Sequence, residues 1–144
     1  DGIRDKQICL VGSEMCIRDR TVRPDGRAAQ TDYDTLATAA GVSLLRIGLG
    51  TGRTHQIRVH LKAAGHPLVG DATYGEARWK ALAPAVRRPL QSFGRPALHA
   101  WRLVFDHPSQ DERVRFVAPP PDDLEALWER LADGSPMPLG SATD

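Results

Sequence analysis

The stretch Leu49-Gly-Thr-Gly-Arg-Thr-His-Gln-Ile-Arg-Val-His-Leu61 decides the fold, because it predicts the end of a strand, a glycine turn and a helix in direct succession. Residues 42–49, rich in Val, Leu and Ile, predict the strand that leads into it. Residues 54–64 predict the helix, with Thr54 as a possible N-cap and Gly65 where a C-terminal stop belongs. We therefore expect a strand, a turn and a helix in close contact.

The predicted helix has two different faces. At 3.6 residues per turn, one face carries cations and the opposite face is apolar. The cationic face comprises His55, Arg58 and Lys62, and the apolar face comprises Ile57, Leu61 and Ala64. We expect the apolar side to pack and the other side to present its charges.

Further elements follow on both sides of this stretch. Residues 30–37 predict a strand that forms a hairpin with 42–49 around Gly41, and residues 98–105 and 113–117 predict a second hairpin. A closing amphipathic helix is predicted after residue 121, with Asp122 and Glu125 in a capping-box relation. The prolines at 84 and 89 predict that residues 78–95 form a surface connection.

Length and composition indicate one domain or a piece of one. The chain has 144 residues, of which 41% are hydrophobic and 26% charged, and its apolar runs are far too short for a membrane span. Residues 1–20 lack strand or helix periodicity and resemble translated sequencing-adapter DNA, so we leave them out of the predicted fold as a non-native leader. Residues 21–132 form the predicted domain, and residues 133–144 are predicted to be a flexible tail. Both cysteines lie in the leader, so the remainder suits a reducing cytoplasm.

Charge is distributed unevenly along the chain. Residues 41–104 hold ten Lys and Arg against two acids, a formal charge of +8, whereas residues 105–144 carry a formal charge of −6. A basic block of this kind is typical of a polyanion-binding surface, although charge alone favours a mixed solvated surface.

Several residues invite a chemical interpretation, each with a plainer alternative. The glycine turn at 48–54 can bind phosphate or can be a turn that needs glycine for positive φ. His55, His60 and His66 do not have the i, i+4 spacing of a helical zinc pair, so no metal is expected. Arg58 can fix a carboxylate or phosphate through two parallel donors, or it can be solvated. Asp71 can be a nucleophile, but an Asp in a turn more often caps its own backbone.

The stretch 49–61, followed by Gly-His-Pro-Leu-Val-Gly-Asp-Ala-Thr-Tyr-Gly at 65–75, resembles the C-terminal signature of the RluA-type RNA pseudouridine synthases. Flanking agreement at 26–36 and 95–108 extends the resemblance from about residue 23 to residue 131. It implies an α+β catalytic domain with a mixed, mainly antiparallel sheet and flanking helices. It also implies an isomerase that acts on uridines of ribosomal or transfer RNA without cofactor or metal.

The resemblance further implies residue roles. In the family, an aspartate in a His-Arg-Leu-Asp stretch breaks the glycosidic bond, and the arginine of His-Gln-Ile-Arg, here Arg58, pairs with it. No Arg-Leu-Asp occurs in these 144 residues, so we expect an active intact parent and an inactive chain. We expect the basic face, with Arg53, His55 and Lys62, to contact RNA, and the protein to be a cytoplasmic monomer without membrane contact. The alternatives are a non-catalytic RNA-binding module and a phosphate-binding metabolic enzyme.

Overall fold

The computed structural model describes residues 4–12, 29–75 and 81–140, and for 4–12 it describes the backbone only. In these ranges the chain forms the strands β1 (Arg4–Gly12), β2 (Thr31–Ala39), β3 (Val42–Leu49), β4 (Leu98–Asp106) and β5 (Arg113–Val117). The helices are α1 (Gln56–Ala63), α2 (Pro84–Ser92) and α3 (Asp122–Leu131).

The described strands form one sheet in the order β2-β3-β1-β4-β5, and each neighbouring pair is antiparallel. Both predicted hairpins, β2–β3 and β4–β5, are confirmed. The first turns at Ala40 (φ 52°) and Gly41 (φ 77°), and two positive φ values are the geometry of the tight turn that matches strand twist. With its flanking helices this sheet confirms the predicted α+β class.

Strand β1 lies at the centre of the sheet, within the segment that the sequence analysis left out of the fold. Its backbone pairs with β3 from Asp5↔Leu49 to Gly12↔Val42, and with β4 from Arg4↔Val104 to Cys9↔Leu98. Leaving residues 4–12 out of the fold was therefore wrong. Alternation is absent from residues 8–11 because a central strand of a sheet that is covered on both faces is often a continuous apolar run. The adapter-like origin of residues 1–20 stays a prediction, and residues 13–28 lie outside the described residues.

Side chains of β3 pack on both faces of the sheet, which separates two hydrophobic clusters. Leu45 and Ile47 face α1 and pack with three apolar residues, Ile57, Leu61 and Leu68. On the other face, helices α2 and α3 cover a larger cluster, which contains Val42, Leu44, Val69, Leu90, Ala97, Trp101, Leu124, Leu127, Trp128 and Leu131. The helix that carries the candidate site is thus fixed to the sheet by its own small core.

Helix α2 contradicts the predicted surface connection. Pro84 occupies the first turn of this helix, where a missing N–H costs nothing and a fixed φ is favourable. Pro89 lies inside the helix and removes one backbone hydrogen bond, but the neighbouring Leu90 is only 1% exposed and packs in the larger cluster. Tertiary packing therefore outweighs the two prolines. Residues 78–80, the first part of the same predicted connection, lie outside the described residues.

Helix α3 confirms the predicted closing helix but not its cap. The carbonyl of Pro121 accepts bonds from the N–H groups of Leu124 (2.9 Å) and Glu125 (3.1 Å), and no side chain caps the helix. The acids of the first turn instead favour the helix through its dipole. After the helix, Met137 and Leu139 pack against the larger cluster. The chain therefore stays on the domain through the described part of the predicted tail, because it still has apolar side chains to bury.

Among the helices in residues 29–75 and 81–140, none has the length and apolar character needed to cross a bilayer.

Candidate active site

The guanidinium of Arg58 on α1 binds the carboxylate of Asp71 with two parallel hydrogen bonds. Arg58 Nε donates to Oδ2 at 2.7 Å and Nη2 donates to Oδ1 at 2.8 Å. The side chain of Asp71 is 1% exposed and that of Arg58 is 18% exposed. Arg58 is therefore not the solvated arginine of the plainer interpretation, and its observed carboxylate partner lies within the chain.

Asp71 is held by its own loop as well as by Arg58. Its Oδ1 atom accepts hydrogen bonds from the backbone N–H groups of Thr73 and Tyr74, both at 3.0 Å, so the predicted backbone cap is confirmed. The loop depends on glycine at two positions. A Cβ at Gly70, whose φ is 75°, would overlap the carbonyl oxygen of Arg95, and a Cβ at Gly75 would overlap that of Asp71. Only glycine lets the loop take the path that buries this carboxylate.

Both members of the pair are charged. The hydrogen bonds from Arg58 outweigh the desolvation of the buried carboxyl group and, with the two backbone donors, lower the pKa of Asp71 to about 2. The hydrogen bonding to Asp71 likewise raises the pKa of Arg58 above its ordinary value. The site therefore contains an ion pair in a fixed geometry rather than a mobile cation.

Tyr74 connects this pair to His55. The Arg58 Cζ atom lies 4.9 Å from the centroid of the Tyr74 ring, within the range of a cation–π contact. The Tyr74 hydroxyl and His55 Nδ1 form a hydrogen bond of 3.1 Å, and the two rings meet edge to face. Periodicity gives no signal for Tyr74, because it lies three residues after Asp71 in a loop bounded by Gly70 and Gly75.

The glycine turn differs from the prediction. None of Gly48, Gly50 and Gly52 has a positive φ; the left-handed residue between β3 and α1 is His55, with φ 53°. His55, not Thr54, occupies the N-cap position of α1, and no side chain caps the helix. A Cβ at Gly50 would come within 3.2 Å of the Gln30 side chain, so this glycine serves close packing instead.

Gln56 organises the turn, a role that the sequence analysis missed. It is 5% exposed, and its Oε1 atom accepts hydrogen bonds from Thr51 Oγ1 (2.7 Å) and the Arg53 N–H (3.1 Å). Its Nε2 atom donates to the Gln30 carbonyl (2.8 Å) and to Thr31 Oγ1 (2.9 Å). Gln56 thus ties residues 51–53 to the start of β2. Helical periodicity gives no signal for such a polar residue, which lies between the apolar and cationic faces.

The residues predicted to contact RNA have exposed side chains on the turn and the helix that carry Arg58. Arg53, His55 and Lys62 are all exposed; Lys62 lies one helical turn beyond Arg58, and only His55 is joined to the pair, through Tyr74. His60 instead faces the sheet, where its Nδ1 atom is 2.8 Å from Thr31 Oγ1 and burial lowers its pKa. Within residues 29–75 and 81–140, no three potential ligands cluster around a metal position.

Comparisons with known proteins agree on one family. The sequence pattern of the RNA pseudouridylate synthase family matches residues 5–63, a range that includes β1 and α1. A ribosomal large subunit pseudouridine synthase D of Neisseria meningitidis is 45% identical over 111 residues, which are 76% of this chain and 29% of that protein. An uncharacterised RNA pseudouridine synthase of Bacillus subtilis is 42% identical over 77% of this chain and 35% of its own length. The chain thus spans about a third of the length of these relatives.

A solved structure supports the same relationship. The chain superposes on human RNA pseudouridylate synthase domain containing 1 with a TM-score of 0.66 and 28% identity, covering 99% of this chain and 63% of that one. The α+β fold and the sequence matches together define the class of protein to which the chain belongs. The chain belongs to the RNA pseudouridine synthases of the RluA type.

Proposed function

We propose that the intact parent of this chain isomerises uridine to pseudouridine in ribosomal or transfer RNA, without a cofactor or a metal. The chain contributes the C-terminal part of the catalytic domain, and Arg58 is its active-site residue. The observation that carries the proposal is the fixed guanidinium of Arg58, which lies on the helix that the family resemblance assigns to the active site.

Arg58 has hydrogen-bond donors that Asp71 does not use and that the catalytic aspartate implied by the family resemblance could accept. A guanidinium has five N–H donors, and Asp71 accepts from two of them, one on Nε and one on Nη2. The remaining donors can bind a second carboxylate supplied by the parent outside these 144 residues. A cation fixed beside that carboxylate favours its ionised form, which is the form that attacks.

We further propose that Arg53, His55 and Lys62 contact the RNA backbone. Their side chains are exposed around the buried pair, within the segment of formal charge +8. Each phosphate contact releases counterions when RNA binds. Arg53→Ala or Lys62→Ala should therefore weaken RNA binding, and each should lower the magnitude of the slope of log affinity against log salt concentration by about 1. Arg113→Ala, which removes an exposed cation paired with Asp106 on the other hairpin, is the matched control and should leave the slope unchanged. Equal salt dependence of RNA affinity for all variants would contradict the proposal that Arg53 and Lys62 contact the RNA backbone.

The direct test is a comparison of the intact parent with the 144-residue chain on uridine-containing RNA, with pseudouridine measured by mass spectrometry of digested nucleosides. We expect product from the parent and none from the chain, because no Arg-Leu-Asp stretch, which the family resemblance assigns to the catalytic aspartate, occurs in its 144 residues. RNA binding by the parent without product would favour a non-catalytic RNA-binding module. We also propose that the parent acts in the cytoplasm as a monomer, which cell fractionation and sedimentation test.

A further inference from the structure

We infer that Asp71 is a positioning residue that holds the Nε–Nη2 edge of the Arg58 guanidinium so that the adjacent Nη1–Nη2 edge faces the catalytic carboxylate. This inference rests on the proposed function, and it adds a second carboxylate whose task is to orient the arginine. Asp71 itself does not touch the reacting atoms.

The first reason is that Asp71 binds only some of the N–H donors of Arg58. Asp71 occupies the Nε–Nη2 edge of the guanidinium, and no hydrogen bond to Nη1 is found within the described part of the chain. The Nη1–Nη2 edge therefore keeps one hydrogen on each nitrogen, which is the fork that binds a carboxylate with two parallel bonds. An arginine without Asp71 could turn about its side-chain torsions and offer any edge.

The rigidity of Asp71 gives the second reason. Two backbone N–H groups, two required glycines and 99% burial fix its carboxylate independently of Arg58. The ring of Tyr74 restrains the same guanidinium, with Arg58 Cζ 4.9 Å from its centroid. Arg58 is thus held by an aromatic ring and, at one edge, by a carboxylate that is itself buried and bonded to the backbone.

A second bidentate pair in the chain provides the matched comparison. Arg95 donates to Asp123 through Nε (2.8 Å) and Nη2 (2.7 Å), with side chains 39% and 50% exposed. The two parallel bonds are the same as those between Arg58 and Asp71, and Arg95 also lies over an aromatic ring, that of Phe93. Unlike Arg58, Arg95 also donates through Nη1 to two backbone carbonyls, and the pair lies at α3, on the face of the sheet opposite α1. Asp123→Glu therefore shows how much a longer acidic side chain in an arginine–aspartate ion pair changes the protein when the pair lies on the other face of the sheet.

The experiment compares Asp71→Glu with Asp123→Glu in the intact parent, with kcat, RNA affinity and Tm measured for each. Glutamate keeps the charge and the fork but adds one methylene, which displaces the guanidinium by about 1 Å, and a displacement of that size can lower a rate by about 100-fold. We expect Asp71→Glu to lower kcat about 10- to 100-fold with RNA affinity within about twofold of the wild type. Asp123→Glu should leave both unchanged.

Arg58→Lys separates positioning from a purely structural effect. Lysine has no fork to orient, so in the Arg58→Lys background Asp71→Glu should lower kcat no further. Losses that multiply in the double variant would overturn the inference, as would an unchanged kcat for Asp71→Glu in an active parent. Asp71→Asn, which conserves volume, replaces Asp71→Glu if that variant does not fold, with the same expected loss. A wild-type parent that makes no pseudouridine contradicts the proposed function instead.

Discussion

Replacing Asp71 with Asn in the 144-residue chain removes the buried negative charge while conserving the shape of the side chain. The pKa of Asp71 falls from an ordinary 3.8 to about 2 in the folded protein. Because one pKa unit corresponds to about 1.4 kcal/mol, the ionised carboxylate stabilises the fold by about 2 kcal/mol relative to its protonated form. We expect Asp71→Asn to lower the free energy of unfolding by about that amount at neutral pH.

The pH dependence of this difference has a defined direction. A carboxyl group whose folded pKa is depressed contributes stability fully above its unfolded pKa and loses it as the pH falls through its folded pKa. The difference between wild type and Asp71→Asn should therefore be complete above about pH 4, shrink as the pH falls, and vanish below about pH 2. Taking the difference between two variants cancels the other titrating groups.

The assay is urea unfolding of both proteins between pH 7 and about pH 1, with the unfolding transition measured by circular dichroism. Asp123→Asn is the control, since its partner is also an arginine but the pair is half-exposed and should contribute no more than about 1 kcal/mol. A difference for Asp71→Asn that stays constant across the whole pH range would refute the reasoning, because it would show that the lost stability does not come from the ionised form.

Three further predictions concern packing and the turn. Gly70→Ala should destabilise the chain by at least about 2 kcal/mol because of its positive φ and the overlap with a carbonyl, whereas Gly52→Ala, with open space around it, should be neutral in urea unfolding. Leu90→Ala should lower the free energy of unfolding by about 2–5 kcal/mol, and Val59→Ala, at an exposed position, should lower it much less. Equal losses for the two variants would mean that α2 does not pack against the larger cluster. Gln56→Ala should speed hydrogen exchange at the N–H of residue 53 by breaking its bond, and unchanged exchange would contradict the network.

Local pattern was sufficient for most of the elements. The β3 strand, the α1 helix with its apolar residues Ile57 and Leu61, and both hairpins follow from periodicity and turn residues alone. Helix α2 did not, because Pro84 and Pro89 dominate its local propensity while the burial of Leu90 depends on residues distant in sequence. The central position of β1 was missed for a related reason, since strand pairing across the sheet is set by partners that no short window contains.

The candidate site was predictable in part. The motif resemblance and the helical faces identified Arg58 and the exposed cations around it, but its carboxylate partner was expected outside the chain. Asp71 was considered only as a cap or a nucleophile, because sequence alone does not show that a loop thirteen residues away returns its carboxylate to α1. A capping role and an ion pair are not exclusive when a carboxylate has lone pairs for both.

The central claim, that Arg58 serves catalysis rather than RNA binding, is tested most directly by Arg58→Ala in the intact parent, with turnover and RNA affinity measured on the same RNA. We predict that pseudouridine formation is abolished while RNA affinity changes much less, because the proposed partners of Arg58 are protein carboxylates. Equal losses of turnover and affinity would contradict the claim and would place Arg58 on the RNA-binding surface.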